Sequence, residues 1–158
     1  MTRRYLLTGV ALFVVVVSVA TGPLTGVDVT EQRVTEFGDG TATVESVAVD
    51  TGAIRVTDGR FGTGVSYLRV PTATVAVASV TDRPRLVYRV SVPALDVELT
   101  ETTVVTKPGT HRLAPDDRGM ARGTADGSSY TGTLAVRVQS FTTDRTVYRE
   151  NVTMEVAT

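Results

Sequence analysis

The stretch Arg85–Thr100, RLVYRVSVPALDVELT, decides how this chain is read. Up to Pro93 the even positions Leu86, Tyr88, Val90 and Val92 are apolar, with Arg89 and Ser91 between them. Successive side chains of a strand point to opposite faces, so this alternation turns one face to a core and the other to solvent. Beyond Pro93-Ala94 the phase inverts. Leu95, Val97 and Leu99 take the apolar side, and Asp96, Glu98 and Thr100 the polar side. A one-residue phase change beside a proline predicts a bulge, or a strand that crosses between sheets.

The same period recurs outward from this stretch. Leu134, Val136 and Val138 alternate with Arg137 and Gln139. Tyr148, Val152, Met154 and Val156 alternate with Arg149, Asn151, Thr153 and Glu155, and Glu150 falls on the apolar side, at a bulge or a sheet rim. Weaker strands are predicted over 27–36, 42–50, 53–57, 64–70 and 73–80. The last has small apolar residues on both faces, the pattern of a central strand covered on both sides. Asp39-Gly40, Asp58-Gly59, Asp126-Gly127 and Lys107-Pro108-Gly109 punctuate these runs as turns. The stretch Asp116–Ser129, DDRGMARGTADGSS, is polar, glycine-rich and without period, which predicts a long loop.

Short strands at regular spacing, rich in β-branched valine and threonine, predict an all-β protein. The expected fold is an immunoglobulin-like two-sheet antiparallel sandwich preceded by one N-terminal apolar helix. A sandwich is preferred to a barrel because the strands are short and a phase switch suits sheet crossing. The cysteine–tryptophan–cysteine core of antibody domains is missing, since the chain has neither residue type. At 158 residues one domain can bury a sufficient core without disulfides.

The chain opens MTRRYLLTGVALFVVVVSVATG. Arg3 and Arg4 are followed by uncharged residues as far as Asp28. The strongly apolar part, Leu6 to Val19, is shorter than a bilayer span of roughly 20 residues and fits a signal-peptide core of about 7–15. Ser18 and Ala20 are small residues placed for cleavage after Ala20, and Gly22-Pro23 would break a continuing helix. Both a cleaved leader and a retained anchor fit. Residues 1–26 are therefore expected to be a signal peptide or membrane anchor, and 27–158 the β domain, on the outer side of the cytoplasmic membrane.

Composition and motifs narrow the chemistry. There are 16 basic and 17 acidic residues, a formal charge of −1. So mild a balance argues against a nucleic-acid partner. His111 is the only histidine, which excludes a multi-histidine zinc site. No Gly-x-Ser-x-Gly elbow is present. Gly59–Gly64, GRFGTG, precedes a strand, whereas phosphate-binding loops open helices. Asp116, Asp117 and Asp126 share one loop and are weak candidates for an oxygen-ligated cation, without EF-hand spacing. Arg85, Arg89 and Arg137 fall on outward faces, where ion pairing with nearby acidic residues is expected. Asn151-Val152-Thr153 is an N-glycosylation sequon on the polar side of its strand, built on the only asparagine.

Thr2-Arg3-Arg4-Tyr5-Leu6-Leu7 resembles the twin-arginine export motif, in which an export receptor reads the arginine pair; general secretion is the other route open to such a leader. Together with Lys107 as the only lysine, no cysteine and a Val/Thr/Asp-rich β domain, it resembles the small exported proteins of halophilic archaea, most of them of unknown function. The resemblance is compositional, spans the chain and matches no diagnostic motif. It implies a cell-surface location and no activity.

The expected function is a non-enzymatic structural or interaction module, exported or membrane-tethered. Its partners would be the membrane, through an uncleaved N-terminal segment, and a cell-surface protein met at exposed edge strands. No cofactor is expected. The alternative is a small-ligand, ion or sugar-binding domain using the 116–129 loop.

Overall fold

The computed structural model describes residues 38–59 and 64–157. The N-terminal segment expected to be a leader, with Arg3, Arg4 and Ala20, and the strand expected over 27–36 lie outside the described residues. Among the described residues ten strands form two sheets. They are β1 (Gly40–Val49), β2 (Arg55–Asp58), β3 (Ser66–Arg69), β4 (Ala73–Asp82), β5 (Arg85–Val92), β6 (Val97–Val104), β7 (Gly109–Leu113), β8 (Arg118–Met120), β9 (Ser129–Gln139) and β10 (Asp144–Ala157). The smaller sheet has the order β1-β4-β7, and the larger β6-β5-β9-β10-β2-β3-β8.

The core follows from the alternation. Leu86, Tyr88, Val90 and Val92 of β5 and Leu134, Val136 and Val138 of β9 are fully buried. They meet as cross-strand pairs, Leu86 with Val138, Tyr88 with Val136 and Val90 with Leu134. Ala73, Val75, Val77 and Leu113 of the smaller sheet join the same apolar cluster. Each such aliphatic side chain contributes about 1.5–3 kcal/mol by leaving water. Valine dominates because its branched Cβ suits a pleated surface and loses little freedom there.

The phase change at Pro93 has a different cause from the one its sequence suggests. It is neither a bulge nor a sheet crossing but a hairpin. Residues Pro93–Leu95 make one 3-10 turn, and Asp96 turns back in the left-handed region at φ 50°, with its N–H on the Pro93 carbonyl at 3.1 Å. Val92 then pairs directly with Val97. Directly paired residues share a face, and their positions differ by an odd number, so even positions of β5 match odd positions of β6. The crossing between sheets does lie beside a proline, Pro84. There β4 of the smaller sheet passes into β5 of the larger through Asp82, at φ 56°, and Arg83.

Three further expectations are revised. The strand read over 73–80 is central, but only Ala73, Val75 and Val77 are buried, and the opposite side is partly open. The 116–129 stretch is not all loop, because Arg118–Met120 pairs with β3 and buries Met120. The sheets are not purely antiparallel, since Val156 and Ala157 of β10 run parallel to Val56 and Thr57 of β2. Glu150 keeps the phase of Tyr148 and Val152 and pairs with Leu134, yet it is exposed; the one register shift of this pair lies before it, between Thr146 and Tyr148.

Candidate functional site

The outward face of β6-β5-β9-β10 can be assembled rung by rung from the pairing. One rung is Glu98, Ser91, Thr133 and Asn151. The next is Thr100, Arg89, Ala135 and Arg149. Then come Thr102, Val87, Arg137 and Thr146, and last Val104, Arg85, Gln139 and Asp144. Neighbouring strands lie about 4.8 Å apart. A methyl group at Ala135 between two arginines therefore leaves a dent between long side chains. A hollow of about 470 Å³ is found there, lined by Arg89, Ser91, Glu98, Thr133, Arg137 and Arg149 among others. A second, of about 310 Å³, adjoins it toward Arg85 and Gln139 and shares Arg89, Glu98 and Arg137.

The charges of this face are partly matched. Arg89 pairs with Glu98, and Arg137 Nη2 lies 2.7 Å from Asp144 Oδ2. Arg85 Nε donates to Gln139 Oε1 at 3.2 Å. Ion pairing of the outward arginines thus agrees with the sequence expectation. Two donors are left over. The Arg149 side chain makes no ion pair or hydrogen bond among the described residues. Arg137 Nε is buried without a partner among the described residues. Such a donor costs about 1–3 kcal/mol when nothing accepts from it.

Asn151 stands at the rim of the hollow and is exposed. The Thr133 hydroxyl donates to its Oδ1 at 3.1 Å. The sequon asparagine is thereby brought beside the arginines, a neighbourhood that only the strand register reveals. Arg149 had been legible as a polar-face residue. Its place across Ala135 from Arg89 was not, because alternation gives the face and not the rung.

The loop candidates are not brought together. Asp117 pairs with Arg69, whose guanidinium also lies 5.5 Å from the Tyr67 ring centroid. Asp116 and Asp126 are exposed, and no group of three or more metal-ligating side chains occurs among the described residues. His111 sits on β7, its Nε2 3.3 Å from the Lys107 carbonyl. Of the glycine-rich stretch 59–64, Gly59 closes the β2–β3 turn by donating to the Val65 carbonyl at 2.6 Å, and 60–63 lie outside the described residues.

On the inner side of the larger sheet two phenols are perturbed. Burial, and then the neighbouring Tyr148, push the Tyr88 hydroxyl well above the ordinary phenol range. Tyr148 is pushed up to about 12 by burial and by its hydrogen bond to the Glu150 carboxylate. Both stay protonated at neutral pH and offer no base. No helix among the described residues is long and apolar enough to cross a membrane. No family model, no curated protein and no solved structure matches this chain.

Proposed function

We propose that the protein is an exported or membrane-tethered, non-enzymatic interaction module that engages a cell-surface partner by strand addition at β6. The observation that carries this reading is the state of the sheet edges. Among the described residues, β6 ends the larger sheet with eight residues in unbroken register with β5 alone. The other edges are blunted: β8 has three residues, β7 has five, and β1 carries two register shifts. An unpaired, regular edge is the surface on which another strand adds through main-chain hydrogen bonds.

An immunoglobulin-like assignment is supported by topology. The order β6-β5-β9-β10 is that of a C′-C-F-G sheet, in which the third strand of such a sandwich is extended by one further hairpin strand. Tyr130, at the start of β9, accepts a hydrogen bond from the Gly127 N–H at 2.7 Å, akin to the tyrosine that braces the same corner in such domains. Export rests on the leader, and exposure of Asn151 is compatible with its modification outside the cell.

The absence of cysteine allows a clean test. Single thiols are placed by Thr102→Cys on β6 and by Ser79→Cys on the central strand β4, and full-length protein is cross-linked in its source cells. Partner adducts at position 102 and none at 79 are expected. Equal labelling at both, or none, would sink the edge reading. Intact mass of the same material reports cleavage after Ala20 and any addition at Asn151.

A further inference from the structure

We propose that the hollow over Ala135 is a binding site for a hydroxylated carboxylate, a sugar acid, held between Arg89 and Arg149. This site is distinct from the β6 edge contact, and either can fail without the other. Arg89, Ala135 and Arg149 form one rung, so the two guanidinium stems rise about 10 Å apart, two strand spacings, on either side of a methyl group. A planar carboxylate fits the fork of a guanidinium with two parallel hydrogen bonds. Arg149 has that fork free among the described residues, and Arg137 Nε is a buried donor with nothing to donate to in the same hollow.

The rest of the lining selects within the class of anions. Ser91, Thr133 and Thr146 supply hydroxyls, and Glu98 supplies carboxylate oxygens that only accept. Glu98 and Asp144 would repel a densely charged polyanion, whereas a ligand with one carboxylate and several hydroxyls satisfies both signs. A volume of about 470 Å³ accommodates a monosaccharide acid in a shallow, open seat. One chemistry can come from two sources, a free sugar acid or a uronate unit of a polysaccharide.

The test is calorimetric titration of the full-length chain with galacturonate, its linear trimer, galactose and inorganic sulfate. Saturable one-to-one binding of galacturonate is expected, with galactose at least about tenfold weaker, since the charged hydrogen bonds are worth that much or more. Arg149→Gln, at an exposed position, should weaken galacturonate about tenfold and leave the melting temperature unchanged. Ala135→Leu should fill the hollow and weaken it similarly with every charge retained. A trimer that binds more tightly than the monomer identifies the polysaccharide as source, and equal affinity the free acid. No saturable binding, sulfate binding as tightly as galacturonate, or indifference to Arg149→Gln would each overturn the proposal.

Discussion

Arg145 of β10 reaches out of the larger sheet and donates from Nη2 to the main-chain carbonyl of Ala42 in β1, 3.1 Å away. The two residues are 103 positions apart and belong to different sheets, so the bond stitches the layers together. Main-chain carbonyls of an edge strand need an acceptor's partner as much as any other polar group, and a guanidinium meets that need from across the core. Arg145→Met keeps the apolar stem and removes the donor. It is expected to cost about 1–2 kcal/mol of stability. Urea unfolding measures this; an unchanged midpoint would mean that water replaces the bond.

Tyr88 is fully buried, and its hydroxyl has no hydrogen-bond partner among the described residues. Tyr88→Phe is therefore expected to leave stability unchanged or raise it by about 1 kcal/mol at neutral pH, because an unmatched polar atom is removed. Loss of stability above that scale would reveal a partner for the hydroxyl.

The same residue sets an alkaline limit. Its native pKa is raised, so its contribution is fully present below the unfolded value near 10. Above that pH the unfolded chain releases the proton while the native chain keeps it. Stability should then fall by about 1.4 kcal/mol per pH unit from this one group. Tyr148, raised to about 12, acts in the same direction and less strongly, being more open to solvent. The slope of stability against pH between 9.5 and 11 should flatten in Tyr88→Phe; an identical slope in both proteins would count against the assignment.

Gly132 lies in β9, close against β5 on one side and β10 on the other. A Cβ there would stand 2.8 Å from the Ser91 carbonyl oxygen and 3.0 Å from Met154 Cε. The methionine can move, but the main chain of β5 cannot without breaking the ladder. Gly132→Ala should cost about 1–3 kcal/mol through overpacking, read as a drop in melting temperature.

Met120 tests whether the 116–129 stretch is a passive connector. It is buried in a three-residue strand at the edge of the larger sheet. Met120→Ala should cost about 2 kcal/mol or slightly more. A loss under half of that would return the segment to the status of a solvated loop.

The strong strands were legible because each buries a single face, and a period of two survives in any sequence that does so. Leu86 to Val92 and Leu134 to Val138 read directly into the core. What could not be read was pairing. The inversion at Pro93 is written identically by a bulge, a crossing and a four-residue hairpin, and only the left-handed Asp96 separates them. β7 and β8 escaped notice because strands of five and three residues are too short for a period to show. The hollow was hidden for a related reason. Arg89, Ala135 and Arg149 come from three strands, and their meeting depends on a register shift at residues 146–148 that no composition announces.

The parallel pairing of Val156 and Ala157 with Val56 and Thr57 has a consequence for biosynthesis. A ribosome releases β2 about a hundred residues before the strand that joins it to the larger sheet. Until then, among the described residues, β2, β3 and β8 pair only with one another. The joining contact is thus among the most distant in the chain, the kind that delays folding and leaves strand edges open to strangers. A chain of this design benefits from being escorted until that final pairing is made.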